Sequence, residues 1–246
     1  MTPSGFSALP NPATIPNAPP FHGASGRVKG GSPRADRGRP CSATRFERQA
    51  HSDNVAVMPN PHKALLDHLL QHSVKRGEFT LKSGKTSNWF LDSKQTACDP
   101  DGMLLMAEAA LEVIPEEATA IGGITVGADP VAYGIAAIAA TKGRRLSSFT
   151  IRKEAKDHGM GGRVAGCLKA GDRVVITEDT TSRGSTIADA IRVVRSEGAE
   201  PVLVLALVDR GGTAAAHALA EGVPFVALAT APDLGFPFDG GELPAS

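Results

Sequence analysis

From His62 onward the chain alternates between two apolar rhythms. Leu65, Leu66, Leu69, Leu70 and Val74 recur at helical spacing, which predicts an amphipathic helix over 62–76 with Gly77 as its C-terminal cap. Phe79–Leu81 and Trp89–Leu91 read as short strands around the turn Ser83-Gly84-Lys85. Met103 to Ile114 predicts a second helix, with Asp101 as its N-cap. Helices and aliphatic runs then take turns: strand 119–124, helix 130–141, strands 146–151 and 173–178, helix 185–197, strand 201–208, helix 213–221 and strand 224–229. Such alternation predicts an α/β fold, a parallel sheet covered by helices on both faces. No internal repeat interrupts it.

The first 57 residues differ in kind. They hold 8 of the 18 prolines, many Gly, Ser and Arg, and almost no apolar periodicity. Seven basic residues against three acidic ones give this stretch a charge of +4 and leave −4 for the remainder. Too little apolar surface is present there to offset the entropy of ordering, so 1–57 reads as a disordered segment. An Arg-rich, acid-poor start also fits an organelle transit peptide, although the prolines disfavour its amphipathic helix. Translation starting at Met58 is a third reading. The foldable domain is expected over 58–235, followed by a tail over 236–246.

Composition narrows the function classes. With 26 basic and 26 acidic side chains among 246 residues, no global charge favours nucleic acid or a membrane surface. Hydrophobic residues make up 41% and aromatics only 4%, so aliphatic side chains must fill the core. The three cysteines, Cys41, Cys98 and Cys167, are odd in number and lack ligand spacing. That points to a reducing compartment, and so to the cytoplasm, without a disulfide framework. No apolar run reaches the roughly 18 residues of a membrane helix.

The candidate chemistry centres on Val174 to Thr186. A β-branched run ends in Glu178 and Asp179, and a loop of Thr180, Thr181, Ser182, Arg183, Gly184, Ser185 and Thr186 opens the next helix. Small residues at a helix start let several backbone N–H groups converge on one phosphate, aided by the helix dipole. The adjacent acids suit a pair of sugar hydroxyls. Neither the Walker spacing nor the dinucleotide glycine pattern occurs here. A second candidate lies between Arg152 and Gly166, where Lys153, Lys156, His158 and Arg163 are interspersed with Gly159, Gly161, Gly162 and Gly166. Length and glycine content read as a lid whose cations close over a polyphosphate.

The 174–186 segment resembles the phosphoribosyl pyrophosphate (PRPP) motif of type I phosphoribosyltransferases. Three further segments narrow the resemblance to the orotate phosphoribosyltransferases. Gly77-Glu78-Phe79-Thr80-Leu81-Lys82-Ser83-Gly84 is similar to their hood signature. Arg152-Lys153-Glu154-Ala155-Lys156-Asp157-His158-Gly159 is similar to their catalytic loop, and Asp209-Arg210 stands where they bind the base. The resemblance spans about Pro61 to Leu234, with a hood over about 62–95.

It implies a pentosyltransferase that moves the phosphoribosyl group of PRPP to orotate, giving orotidine 5′-monophosphate and pyrophosphate in pyrimidine synthesis. Glu178 and Asp179 would hold the ribose hydroxyls and Thr180 to Thr186 the 5-phosphate, with Arg183 unusual for the family. Lys82, Arg152, Lys153, Lys156 and His158 would face PRPP; Arg152, Lys156 and His158 would serve the chemistry. Phe90, Leu91, Ser182 and Arg210 would meet orotate. The loop Gly123-Ile124-Thr125-Val126-Gly127-Ala128-Asp129-Pro130 lacks the lysine many members carry, so its amides would receive pyrophosphate, with Asp129 a candidate for placing metal-bound water. Mg²⁺ would be held mainly by PRPP and water, without dedicated protein ligands. A homodimer sharing the loop across subunits is implied. The competing readings are a purine phosphoribosyltransferase, a PRPP-sensing regulator that binds nucleic acid, and an inactive homologue.

Overall fold

The computed structural model describes residues 63–80, 86–154 and 162–240. Six strands form the main sheet in the order β5-β4-β3-β6-β7-β8: β3 (Ala120–Ile124), β4 (Ser147–Ile151), β5 (Val164–Gly166), β6 (Arg173–Thr181), β7 (Glu200–Asp209) and β8 (Phe225–Thr230). All neighbours run parallel except the edge strand β5, which is antiparallel to β4. The predicted α/β architecture is therefore present. Two short strands, β1 (Val74–Thr80) and β2 (Thr86–Leu91), pair antiparallel as a separate small sheet.

Aliphatic strand sequences explain the layering. In β6 the residues alternate between two apolar clusters, Val175 on one side and Val174 and Ile176 on the other, as the period of a strand requires. The first cluster gathers Met106 and Ala110 of α3 (Pro100–Val113) with Val131 and Ile135 of α4 (Ala128–Thr141). It also takes in Leu65 and Trp89, so the small sheet and α1 (Lys63–His68) rest on the main core. The second cluster lies under α5 (Ser185–Ser196) and α6 (Ala214–Ala220) through Ile187, Ile191 and Ala218. Burial on both faces is what makes a parallel strand read as a continuous apolar run.

Several boundaries differ from the sequence expectation. The helix expected over 62–76 ends early: α1 passes into a π-helical turn, Leu69–Ser73, and β1 begins at Val74. Val74 satisfies helical and strand periods alike, and its pairing with Leu91 decides the matter. Gly77 is consequently no helix cap. It lies inside β1, φ +147°, where the register shifts between Arg76 and Phe79. The cap of α3 is Asp99 rather than Asp101, its carboxylate accepting from the N–H groups of Asp101 and Gly102 at 3.0 Å each. Pro100 at the first helical position sets that start. A four-residue helix, α2 (Lys94–Ala97), and strand β5 carried no periodic signal.

Candidate active site

Strand β6 does not stop at the acids. Glu178 pairs with Ala206 and Thr180 with Val208 of β7, so the ladder carries both carboxylates to the sheet's C-terminal edge. There Glu178 is 7% and Asp179 9% exposed. Strand termini of this kind are where open α/β sheets hold ligands.

The two acids have different partners. Oε1 of Glu178 is buried without a hydrogen-bond partner among the described residues. Burial, reinforced by the neighbouring Asp179 charge, pushes the Glu178 carboxyl up to about 7, against a hydrogen bond with Thr186 and the Lys94 charge. Asp179 is instead paired through one oxygen: its Oδ2 accepts from Lys94 Nζ at 2.7 Å and Ser93 Oγ at 3.1 Å. Ser93 Oγ in turn accepts from Thr180 Oγ1 at 2.8 Å. The Asp179 hydrogen bond raises the Lys94 pKa more than the partial burial of the lysine lowers it.

Ser93 and Lys94 therefore belong to the site, though no sequence motif marked them. Replacing Lys94 with Met leaves Asp179 buried beside Glu178 without its cation. Because Lys94 is itself 43% exposed, the expected loss of stability is modest, about 1 kcal/mol. A thermal melt at pH 8 checks this; an unchanged melting temperature would show that solvent already compensates Asp179.

After Thr181 the chain turns sharply into α5. Gly184 takes φ +73° ahead of Ser185. A Cβ there would lie 2.6 Å from the His217 ring, so conformation and space both require glycine. The turn is braced from β7. Asp209 accepts from Thr181 Oγ1 at 3.0 Å and from the N–H groups of Gly211 and Gly212 at 3.1 and 2.9 Å. Ser182, Arg183 and Thr186 are exposed around this helix start. The opposite wall is the loop after β3. A Cβ on Gly127 would fall 2.3 Å from Asp179 Oδ1, so that loop approaches the acid pair closely. Asp129 accepts from Thr125 Oγ1 and Thr150 Oγ1, each at 2.7 Å, and both its oxygens are thereby engaged in fixing this loop.

The other sequence candidates are only partly among the described residues. Lys82, Lys156 and His158 lie outside the described residues. Arg152 and Lys153 are described, and the ends of the segment that contains Lys156 and His158 are tied together. Arg152 N–H donates to the Arg163 carbonyl at 2.7 Å, and Arg163 Nε to the Arg152 carbonyl at 2.9 Å. Arg163, read from sequence as one of the lid cations, makes a two-pronged ion pair with Asp189 of α5, both contacts at 2.7 Å. That pairing holds the Asp189 carboxyl below its ordinary range. Phe90 is 38% exposed, its ring 5.6 Å from that of Phe79, whereas Leu91 faces the core. Arg210 is 5% exposed; its Nη2 donates to the Trp89 carbonyl at 3.1 Å and the Ser87 hydroxyl at 3.3 Å.

No protein-family model matches the chain. It is 38% identical over 151 residues to an orotate phosphoribosyltransferase of Aquifex aeolicus, covering 61% of this chain and 82% of that protein. Among solved structures it resembles the orotate phosphoribosyltransferase of Mycobacterium tuberculosis in complex with Fe(III) dicitrate, with TM-score 0.63 and 32% identity over 70% of this chain and 97% of the other. The same enzyme in complex with PRPP gives TM-score 0.58 and 28% identity, over 70% of this chain and 97% of the other. The mostly parallel sheet flanked by helices is the fold of a type I phosphoribosyltransferase. Within that class, the chain belongs to the orotate phosphoribosyltransferase family.

Proposed function

We propose that this protein transfers the 5-phosphoribosyl group of PRPP to orotate, forming orotidine 5′-monophosphate and pyrophosphate as a step of cytoplasmic pyrimidine synthesis. The observation that carries the reading is the buried acid pair standing directly before a glycine turn and the start of α5. In a chain of this family, that pattern joins a site for vicinal hydroxyls to a site for a phosphate.

Each group has a task set by its chemistry. Glu178 and Asp179 accept hydrogen bonds from the ribose hydroxyls; the unpartnered Oε1 of Glu178 is the acceptor with capacity to spare. The main-chain N–H groups of 182–186 hold the 5-phosphate at the start of α5, with Thr180, Thr181, Ser182, Arg183, Ser185 and Thr186 around it. Phe90 offers an aromatic face to the orotate ring, Leu91 supports the strand from the core side, and Ser182 and Arg210 supply polar contacts. A planar guanidinium suits the carboxylate of orotate.

Breaking the anomeric bond leaves positive charge on the ribose and negative charge on departing pyrophosphate. Cations aimed at the leaving group therefore lower the barrier more than a protein nucleophile would. Arg152, Lys153, Lys156 and His158 supply those charges, Lys82 adds one from the hood, and His158 is the proton donor best matched to neutral pH. Among the described residues no three His, Cys, Asp or Glu side chains are grouped to hold a metal ion. Glu178 and Asp179 are nonetheless hard oxygen acceptors, a fit to water in the shell of Mg²⁺ carried in on PRPP. Bound there, Mg²⁺ supplies charge neutralisation at the pyrophosphate oxygens. The reading includes a homodimer in which the loop of one subunit serves the other.

Pyrophosphate release measured with PRPP, Mg²⁺ and either orotate, adenine or hypoxanthine tests the substrate. Orotate alone should support release. Release with a purine and not with orotate would overturn the base assignment while leaving the phosphoribosyl site intact.

A further inference from the structure

The sequence pattern ends with the last strand, but packing does not. Phe236 stacks on the Trp89 ring at a centroid distance of 4.2 Å and an interplanar angle of 5°. Its N–H donates to the Ala231 carbonyl at 3.0 Å, and the Arg76 guanidinium lies 4.8 Å over its ring. Phe238 covers Gly212, where a Cβ would fall 2.8 Å from the phenyl ring. Asp239 then contacts Arg210 twice. Its N–H donates to the Arg210 carbonyl at 3.0 Å, and its carboxylate forms an ion pair with Nε, off the N–H axis.

These contacts fix the Arg210 guanidinium plane from three directions. The group lies 4.3 Å over the Trp89 ring. Nη2 is turned to the Trp89 carbonyl and Ser87, while Nε is shut behind Asp239. Buried Nε makes no hydrogen bond among the described residues, so its compensation comes from the Asp239 carboxylate. An arginine 5% exposed would otherwise hold a costly uncompensated charge and several competing orientations.

We propose that Asp239 is a positioning residue for base recognition: it holds the Arg210 guanidinium in a single orientation toward the anionic base. The inference rests on the orotate reading above. Asp239 also neutralises the arginine, so the pair selects by direction rather than by net charge. An acceptor that lies along the N–H directions of the held guanidinium gains from it, and a diffuse anion does not. Residues 236–239 thereby link the small sheet to the end of β7, and Trp89 packs against both Phe236 and Arg210.

Steady-state kinetics of the full-length chain test this with Asp239→Asn and Asp239→Glu. Asp239→Asn should raise the KM for orotate about tenfold, or about 1.4 kcal/mol, with the KM for PRPP unchanged. Asp239→Glu, which keeps the charge, should recover most of the loss. Trp89 is the single tryptophan, so its emission should shift in Asp239→Asn before any substrate is added, with the overall melting transition retained. An unchanged orotate KM, or a parallel rise in both KM values, would overturn the positioning role. A wild-type enzyme that transfers nothing to orotate would instead overturn the functional reading, and this inference with it.

Discussion

Glu178→Gln should abolish the pH dependence of stability between pH 4.5 and 7 while weakening PRPP binding by 10- to 100-fold. Burial raises the Glu178 carboxyl from 4.5 to about 7, so the folded chain holds that proton more tightly than the unfolded chain. Below pH 4.5 the group is protonated in both states and its full contribution to stability is present. Between 4.5 and 7 the unfolded chain releases the proton first, and stability falls as pH rises. Above 7 the decline stops, after a loss of about 3 kcal/mol at about 1.4 kcal/mol per pH unit. Glutamine has no proton to lose, so its denaturation midpoints should stay level across that window. The same substitution removes a charged acceptor, worth about 1.5–3 kcal/mol for a hydrogen bond to an ionised group. Urea melts across the pH range, paired with calorimetric titration of Mg²⁺–PRPP, read both effects. A Glu178→Gln protein that keeps the wild-type slope would place the titration elsewhere. One that binds PRPP normally would remove Glu178 from the sugar site.

Lys156→Ala should lower turnover on the order of 10²-fold, about 2.7 kcal/mol of barrier, without changing the fold. Losing a cation that meets charge appearing only at the transition state lowers kcat, whereas losing one that meets resting substrate raises KM. Pyrophosphate departs with new negative charge, and the loop carrying Lys156 also carries Arg152, Lys153 and His158. Single-turnover rates and a thermal melt separate chemistry from folding. Near-normal turnover, with chemistry limiting, would defeat the assignment. Mixing a Lys156→Ala subunit with one disabled at Asp179 adds a test of sharing between subunits; if no activity returns in mixed dimers, each loop serves its own subunit.

Much of this arrangement was legible because parallel strands and amphipathic helices repeat within a few residues. The acid pair was legible for the same reason, as charge closing an apolar run. What sequence left unmarked is assembled across the chain. Lys94 meets Asp179 from 85 residues away, and Asp239 reaches Arg210 from beyond the last strand. Neither contact leaves a local pattern. Arg163 failed in the opposite sense: composition placed it among the lid cations, while its geometry ties it to Asp189. Val74 shows the limit of periodicity, because one apolar position serves a helix or a strand equally well until a partner strand chooses.

The antiparallel edge strand β5 has a consequence for how this enzyme family can vary. By doubling back beside β4, it sets Arg152 and Arg163 across a hairpin, joined by reciprocal hydrogen bonds. The ring closed by the intervening residues is then paid for locally, and doubling its length adds only about 0.6 kcal/mol. Insertions or deletions there can alter reach and rate with little effect on melting, so activity and robustness can evolve on separate parts of the chain.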